Sequence, residues 1–263
     1  MPFLTHAGVS LRYDRVGTGP AVLLIHGWTF NRTVWERQLV ALRDRHTAIT
    51  VDLRGHGESS PPRTGYTIGA MAADLEHLVR ALAVPRIALV GWSMGGLVAL
   101  ELAQRLGERV SALGLVCTTA GGLTDEKNPV AVPKDQVAAI RTRIEADFRG
   151  FAREFAPRLF KQAAASPLLA WAVGQMQKTP AHVAAASLDG ILAADLRPAL
   201  KKIKAPTAVL HGRHDDLFPF ASGEALEKGI KGATLTAFEE SGHSPLLEEP
   251  DRFNAALAEL LGQ

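Results

Sequence analysis

Residues 86–106 read Arg-Ile-Ala-Leu-Val-Gly-Trp-Ser-Met-Gly-Gly-Leu-Val-Ala-Leu-Glu-Leu-Ala-Gln-Arg-Leu, and this stretch decides the fold. An apolar run, Arg86–Trp92, is typical of a buried strand, and the Ala- and Leu-rich segment Leu97–Leu106 predicts a helix. Ser93 lies between them with a glycine two residues before it and another two residues after it. Glycines are needed where a strand and a helix approach too closely for side chains. The stretch therefore predicts a sharp turn that projects the Ser93 hydroxyl above the strand ends.

The segments around this turn alternate in the same way. Continuous apolar runs that alternate with amphipathic helices are typical of a mostly parallel sheet covered by helices on both faces. The start of the chain, Val9–Val16, is interpreted as a leading hairpin. The predicted strands are Ala21–His26, Thr47–Leu53 and Val110–Thr118, and the predicted helices are Arg32–Asp44 and Ile68–Leu82.

The alternation stops near Thr119. From residue 119 to residue 200 the chain is rich in alanine, is interrupted by prolines and shows no convincing strand, which predicts several helices in series, an inserted helical subdomain. The strand pattern then returns at Pro206–Gly212 and Ala233–Phe238, and Pro250–Leu261 is predicted as the closing helix. We therefore expect an α/β core domain made of residues 1–118 and 201–263, with a helical insertion over 119–200.

Composition narrows the class of protein. Of 263 residues, 47% are hydrophobic and 21% charged, which is too apolar for a disordered chain. Lys and Arg number 29 against 27 Asp and Glu, a formal net charge of +2, which excludes a strongly basic nucleic-acid binder. A single cysteine, Cys117, rules out an intrachain disulfide. With no visible secretory signal and no membrane-length apolar run, these features predict a cytoplasmic protein.

Four ordered motifs give the chain a family resemblance. They are His26-Gly27-Trp28, Asp52–Ser59 (Asp-Leu-Arg-Gly-His-Gly-Glu-Ser), Gly91–Gly96 around Ser93, and Ser241-Gly242-His243. Together they resemble the α/β-hydrolase superfamily, in which Gly-x-Ser-x-Gly is the nucleophile elbow. The resemblance implies an eight-stranded, mostly parallel sheet, a helical lid and a Ser-His-Asp triad, with a structural role for Asp52–Ser59.

Within that superfamily the chain is similar to the pimeloyl-acyl-carrier-protein methyl ester esterases. The similarity rests on the His-Gly-Trp loop, on Asn31 and Val34-Trp35, and on Asp195–Pro198 before the penultimate predicted strand. Met94 departs from the pattern, since those esterases more typically have leucine there. The resemblance therefore implies an esterase more firmly than one particular substrate.

A serine nucleophile needs a base. The order of the triad in this superfamily is Ser, then Asp or Glu, then His, which leaves four of the nine histidines downstream of Ser93. His243 lies in the loop between the last strand and the last helix, where a side chain can reach across the top of the sheet. His182 in the lid and His211 at a strand end suit structural roles better, and His214 belongs to the segment that supplies the acid. His243 is therefore the predicted base.

For the acid, Asp215 and Asp216 compete in the segment after Pro206–Gly212. The family pattern Gly-x-x-Asp-x-x-x-Pro implies Asp215, through Gly212 and Pro219. The same segment contains His211 and His214, which could suggest a metal site, but no comparable cluster of ligands occurs elsewhere. We therefore predict neither a metal nor any other cofactor.

An oxyanion needs two preorganised N–H donors. The resemblance implies the backbone of Met94, next to the nucleophile, and a second amide from the loop after the first parallel strand. By position this is Trp28. Five aromatic residues are candidates for an apolar acyl pocket, although ordinary core packing would explain them equally well: Trp92, Phe148, Phe151, Phe155 and Trp171.

The predicted function is a serine carboxylesterase acting on short-to-medium acyl or methyl esters. The same triad also serves lactonases, C–C bond hydrolases and cofactor-free perhydrolases, and these remain open. A non-catalytic receptor that binds a small ligand is the alternative of another class. The Ser93 nucleophile argues against dehalogenases and epoxide hydrolases, which use Asp.

Residues 134–161 of the predicted lid contain seven basic and four acidic residues. Such a face could bind an acidic acyl carrier protein, or it could be a solvated surface of Arg–Glu pairs. Apart from that possible carrier, a small-molecule ester is the expected partner, with no nucleic acid and no membrane.

Overall fold

The sheet lies at the centre of the molecule. The structure is a computed structural model and describes residues 2–125, 128, 131–162 and 167–262. Its strands run in the order β1-β2-β4-β3-β5-β6-β7-β8, in which β2 is antiparallel to β1 and β4 and the other neighbours are parallel. The predicted eight-stranded, mostly parallel sheet is confirmed. The strands are β1 (Phe3–His6), β2 (Val9–Val16), β3 (Ala21–Ile25), β4 (Thr47–Val51), β5 (Ile87–Trp92), β6 (Val110–Val116), β7 (Thr207–Gly212) and β8 (Thr234–Phe238).

The first hairpin differs from the prediction. Val9–Val16 is one strand and not a hairpin, because its partner is the preceding strand β1. Two residues, Ala7 and Gly8, connect them with φ of 47° and 77°. Positive φ at both central residues belongs to the turns that best match the twist of a hairpin. Alanine at the first position hides this turn in the sequence.

Helices cover both faces of the sheet. Alternate side chains of β3 show the arrangement: Leu23 and Ile25 belong to one buried apolar cluster, and Val22 and Leu24 to another. Strand β3 is thus buried on both sides, which explains its continuous apolar sequence. The helices are α1 (Glu36–Leu42), α2 (Ile68–Ala81), α3 (Met94–Leu106), α4 (Lys134–Phe155), α5 (Pro167–Met176), α6 (Ala181–Ala193), α7 (Phe220–Gly229), α8 (Pro245–Glu248) and α9 (Pro250–Leu260).

Two helix boundaries depart from the sequence pattern. The single helix predicted over Arg32–Asp44 is a 3₁₀ turn, Arg32–Trp35, followed by α1. Asn31 explains the tight start, because its side-chain oxygen accepts the N–H of Thr33 at 3.1 Å. Helix α3 starts at Met94, three residues before the predicted Leu97, because the turn at Ser93 leads directly into it.

Helices α4, α5 and α6 lie in the interval between β6 and β7. Within the described residues of that interval, the strand-like pairing is one isolated bridge between Gly121 and Asp195. Helix α4 is kinked at Asp147, whose φ and ψ of −153° and 83° are not helical. The Asp147 carboxylate accepts the N–H of Gly150 at 2.9 Å and so caps the second half of the helix. The division into a core (1–118 and 201–263) and a cap (119–200) remains our proposal.

None of the helices that the structure describes is both long enough and apolar enough to cross a bilayer.

Candidate active site

Ser93 occupies a strained turn between β5 and α3. Its φ of 56° and ψ of −118° are unusual for a residue with a side chain. A Cβ on Gly91 would lie 2.1 Å from the backbone oxygen of Gly95, and a Cβ on Gly95 would lie 2.3 Å from that of Ile25. The turn therefore requires glycine at both positions. Strain kept at one residue in an otherwise regular junction is typical of functional sites.

Neighbouring strand ends hold the Ser93 backbone in place. Its N–H donates to the carbonyl oxygen of Val116 at 2.9 Å, and the Thr118 hydroxyl donates to its carbonyl oxygen at 2.7 Å. The Ser93 side chain makes no hydrogen bond with any residue that the structure describes, and Ser93 is 9% exposed. A hydroxyl held in this way is available to a base, and catalytic hydrogen bonds often shorten only when substrate binds.

Asp215 and His243 form a buried pair at the same edge of the sheet. His243 Nδ1 lies 2.8 Å from Asp215 Oδ2, and both side chains are almost fully excluded from solvent. The second carboxylate oxygen of Asp215 accepts the N–H groups of Leu217 and Phe218 at 2.8 and 2.9 Å. The carboxylate is thus fixed in orientation, and it holds the imidazole with Nε2 available. This is the relationship between acid and base in a triad.

The ionisation of Asp215 fits this role. Burial alone would raise its pKa, but the charge of His243 and hydrogen bonds from His211 and His243 outweigh burial and hold the pKa well below its usual range. A permanently ionised acid can stabilise an imidazolium that forms during a reaction. Asp216, the competing candidate, is exposed one residue further on.

His211 is a functional candidate that the sequence pattern does not single out. It is fully buried at the end of β7, with Nε2 3.3 Å from Asp215 Oδ2 and 2.8 Å from the carbonyl oxygen of Phe218. Because a carbonyl can only accept, Nε2 must carry the hydrogen, and the imidazole donates towards both oxygens. The signal for this contact in the sequence is a histidine four residues before an aspartate. That spacing indicates a contact only when the histidine lies at the end of a strand, as His211 does.

The loop after β3 contains the other predicted oxyanion donor. Gly27 and Phe30 close a turn, with the Phe30 N–H donating to the Gly27 oxygen at 3.2 Å. Trp28 lies inside this turn, and its backbone N–H has no hydrogen-bond acceptor in the described part of the chain. Met94, the other predicted donor, is the first residue of α3, where amides lack a partner within the helix. Both amides are therefore free to bind an oxyanion.

His26 anchors the base of this loop. Its Nδ1 contacts the Gly27 oxygen at 2.8 Å, and its Nε2 accepts the N–H of Leu53 at 3.0 Å. Burial lowers the pKa of His26 to about 4, and the backbone contact with Gly27 only partly offsets this. The neutral ring thus ties the end of β3 to the end of β4.

Three of the five aromatic candidates lie together on α4. Phe151 stacks on Phe148 and on Phe155, with ring centroids 6.4 and 5.4 Å apart. Trp28 meets Phe151 and Phe155 edge-on at 6.1 and 5.4 Å. Helix α4 and the loop after β3 therefore share one aromatic cluster.

The other two aromatic candidates lie apart from that cluster. Trp92 is buried under the base, and its indole N–H donates to the His243 backbone oxygen at 2.7 Å. Trp171 is half-buried on α5, 5.9 Å from Phe30, and lines a surface groove of about 170 Å³ together with Leu247. Phe218, not predicted from the sequence, lies 5.7 Å from the His243 ring and is a further candidate lining residue.

Cys117 completes the surroundings of the acid–base pair. Its Sγ, a carboxylate oxygen of Asp215 and a ring nitrogen of His243 lie within 4.8 Å of one another, a grouping that could hold a metal ion. Burial and then the Asp215 charge raise the pKa of the thiol well above its usual value, so it stays protonated. A metal ligand would have to be thiolate. The Sγ instead accepts the N–H of Gly212 at 3.3 Å.

The class of protein follows from this geometry and from family comparison. A serine on a glycine-flanked turn after β5, at the same edge of the sheet as a His–Asp pair supplied by the loops after β8 and β7, is the arrangement of the α/β-hydrolase fold. The family model described as "alpha/beta hydrolase fold" matches residues 20–250, and the chain belongs to this family.

Individual relatives include several esterases. A pimeloyl-[acyl-carrier protein] methyl ester esterase from Chromobacterium violaceum is 31% identical over 256 residues, covering 96% of this chain and 98% of that protein. An esterase from Exiguobacterium antarcticum superposes with a TM-score of 0.93 at 30% identity, covering 99% of both chains. An enol-lactonase from Burkholderia xenovorans LB400 does so with a TM-score of 0.91 at 27% identity, covering 100% of both. The similarity to esterases that the motifs imply is thus confirmed.

Proposed function

We propose that this α/β hydrolase is a serine carboxylesterase. The observation that carries the proposal is the buried His243–Asp215 pair, whose Nδ1 and Oδ2 lie 2.8 Å apart at the same edge of the sheet as the strained turn of Ser93. Esterase relatives at about 30% identity over nearly the whole chain support the same activity. No cofactor is needed for the chemistry that these groups perform.

In the proposed reaction His243 Nε2 takes the proton of Ser93 as its oxygen attacks the ester carbonyl. The tetrahedral oxyanion binds the backbone N–H groups of Trp28 and Met94. His243 then returns the proton to the departing alkoxide, which leaves an acyl-enzyme on Ser93. A water molecule, deprotonated by His243, releases the carboxylic acid and restores the serine, while Asp215 stabilises the imidazolium in both halves of the cycle.

The substrate class proposed is a neutral ester with a short-to-medium acyl chain. The aromatic cluster of Trp28, Phe148, Phe151 and Phe155 is apolar, and the guanidinium of Arg158 lies at its edge, 5.8 Å from the Phe155 ring centre. Such a lining favours an uncharged acyl group.

The experiment is a kcat/KM panel of p-nitrophenyl and methyl esters with the Ser93→Ala variant. Loss of the nucleophile is expected to lower kcat by about 10⁶-fold, as removal of a triad serine can. A variant that keeps most of the wild-type turnover would refute the assignment. Labelling of Ser93 by a fluorophosphonate, read by intact mass, separates a hydrolase from a receptor that only binds its ligand.

Lactone hydrolysis is the second candidate, and the similarity to an enol-lactonase supports it. A lactone is a cyclic ester, and the same attack, oxyanion and acyl-enzyme apply to it. Matched pairs of lactones and open-chain esters of equal carbon number would separate the two. A kcat/KM at least tenfold higher for the lactone would reverse our ranking.

We also propose that an acidic carrier docks on the lid, through fewer basic residues than the sequence suggests. Several basic residues of α4 and the following turn are already neutralised or engaged: Arg141 by Glu145 and Asp189, Arg143 by Glu154, and Lys161 by Glu240, while Arg158 donates to the Asp216 backbone. Arg149 and Arg153 make no ion pair with the residues that the structure describes. Equal kcat/KM for carrier-linked and free methyl esters at low salt would refute docking.

A further inference from the structure

The indole of Trp28 connects the oxyanion loop to the lid. Its Nε1–H lies 3.0 Å from the carbonyl oxygen of Ala184 and 3.0 Å from the hydroxyl of Ser187, both on α6. Ser187 is fully buried, and its hydroxyl donates to the Val183 oxygen at 2.6 Å. The single hydroxyl hydrogen is thus used within α6, which leaves a lone pair directed to the indole.

Further contacts join the same loop to the lid. The Thr179 hydroxyl donates to the Thr29 carbonyl oxygen at 3.0 Å, and Asn31 Nδ2 donates to Gln175 Oε1 at 2.8 Å. Trp28, Thr29 and Asn31 each therefore have a polar partner in the segment from α5 to α6. A loop tied at three positions to one neighbouring segment has its conformation set by that segment.

The backbone of this loop is held in an unfavourable conformation. Thr29 has a φ of 61°, which costs free energy for a β-branched residue. Its hydroxyl donates to the Trp28 carbonyl oxygen at 2.7 Å, and its own carbonyl oxygen accepts from Thr179. The peptide groups on either side of Thr29 are thus fixed partly by the lid. Without the lid contacts we expect Thr29 to adopt a less strained backbone conformation.

We propose that the lid positions the oxyanion hole. Helix α6 holds the Trp28 indole through Ser187 and Ala184, so that the backbone N–H of Trp28 is correctly placed only when the lid is closed. The inference rests on the proposed function, in which that N–H is an oxyanion donor. In the same proposal the lid moves to admit substrate to Ser93 and His243, which are 9% and 1% exposed in this conformation. Closure over the substrate then completes the site, and Ser187 is a positioning residue.

Two variants test the link from opposite sides. Trp28→Phe removes the indole donor but keeps a ring against Phe151 and Phe155, and Ser187→Ala removes one acceptor. Each is expected to lower kcat by about tenfold, less than the ~10²–10³-fold that loss of an oxyanion donor costs, with KM within about twofold. The double variant should be no slower than Trp28→Phe, because both changes break one connection.

A transition-state readout separates positioning from a merely structural effect. A trifluoromethyl ketone matched to the best ester forms a hemiketal oxyanion with a serine nucleophile, so its inhibition constant reports on the hole itself. We expect that constant to rise about tenfold in both single variants, in parallel with the loss of kcat.

Matched controls come from buried residues of the same type. Trp35→Phe removes a buried indole whose N–H has no partner among the described residues, and Ser222→Ala removes a buried hydroxyl of the same kind. If Trp28→Phe and Ser187→Ala match these controls in kcat and in ketone affinity, the coupling is refuted. If the wild-type protein forms no fluorophosphonate adduct on Ser93, the proposed function fails instead, so the two failures are distinguishable.

Discussion

The indole N–H of Trp92 donates to the backbone oxygen of His243 at 2.7 Å, and both residues are buried. The residue that precedes the proposed nucleophile therefore holds the loop of the proposed base. Because Trp92 ends β5 and Ser93 follows it directly, the position of the base loop relative to the serine depends on this strand end. Trp92 acts from beneath the base, through packing and this single hydrogen bond.

Replacing Trp92 by Phe should lower both stability and turnover. The change leaves the His243 oxygen buried without its donor, which costs about 1–3 kcal/mol, in addition to the lost ring volume. We expect kcat to fall by about tenfold as the base loop loosens, since catalytic groups depend on positions held to within an ångström. Urea unfolding and steady-state kinetics measure the two effects. Trp35→Phe is the control for ring loss, and equal kcat in both variants would contradict the anchoring role.

Asp215→Asn should nearly abolish activity while leaving the fold intact. The amide keeps an oxygen for the N–H groups of Leu217 and Phe218 but can present an N–H to His243 Nδ1, which favours the wrong tautomer. We expect kcat to fall by about 10⁴-fold. Asp216→Asn, at the exposed neighbouring position, serves as the matched control in the same ester assay. Comparable losses in both variants would show that Asp215 is not the specific acid.

The stability of the protein should decrease in mild acid because of buried histidines. Burial lowers the pKa of His26 to about 4, and burial together with His26 lowers that of His56 to about 3, against an ordinary value of 6.5. Below about pH 6.5 the unfolded chain therefore binds protons that the folded chain excludes. The free energy of unfolding falls from there towards pH 4, by about 2 kcal/mol per pH unit in mid-range.

Urea unfolding at pH 7, 6 and 5 measures this dependence. His56→Gln removes one of the two titrating groups and should flatten the slope by about half. A midpoint that stays constant from pH 7 to pH 5 in the wild-type protein would rule out this pair as the source of acid sensitivity.

Two glycine substitutions should have opposite effects. A Cβ on Gly212 would lie 1.8 Å from the Gly242 backbone oxygen, so Gly212→Ala must displace the loop of the base and should cost about 3 kcal/mol or more. Gly174 is exposed in α5 with nothing within 4 Å of an added Cβ. Gly174→Ala should therefore stabilise the protein by about 0.5–1 kcal/mol. Thermal unfolding measures the stability of both variants. A lower unfolding temperature in Gly174→Ala than in the wild-type protein would contradict the expected stabilisation.

The central parallel strands were predictable because burial on both faces requires consecutive apolar residues, which are visible in the sequence. β3, β5 and β7 agree with the predicted segments to within one residue at each end, since each is fully buried and contains at least three consecutive apolar residues. Helix α7, Phe220–Gly229, was not predicted, because its apolar face is weak and contains two glycines. The close contact of Gly223 with His211 explains one of them: a Cβ there would lie 3.0 Å from His211 Nδ1.

The candidate site was predictable where its residues belong to local motifs. Ser93 is marked by the glycines beside it, and His243 by its place between a strand and a helix. His211 and the connection from Trp28 to Ser187 join positions that only the folded chain brings together, in the second case 159 residues apart. No local pattern records such a contact, because neither residue type is unusual where it stands. The assignments of the triad and of the oxyanion donors stay predictions until the variants are measured.

The single thiol of Cys117 allows the opening of the candidate site to be measured. It is the only thiol in the sequence, is fully buried, and lies against the carboxylate and imidazole proposed for catalysis. A disulfide reagent in solution can react with it only while the residues that cover the thiol move apart. The rate of modification, followed by colour release without any introduced label, therefore counts those openings. The decrease in this rate when an inhibitor is bound would measure how far the inhibitor suppresses the openings.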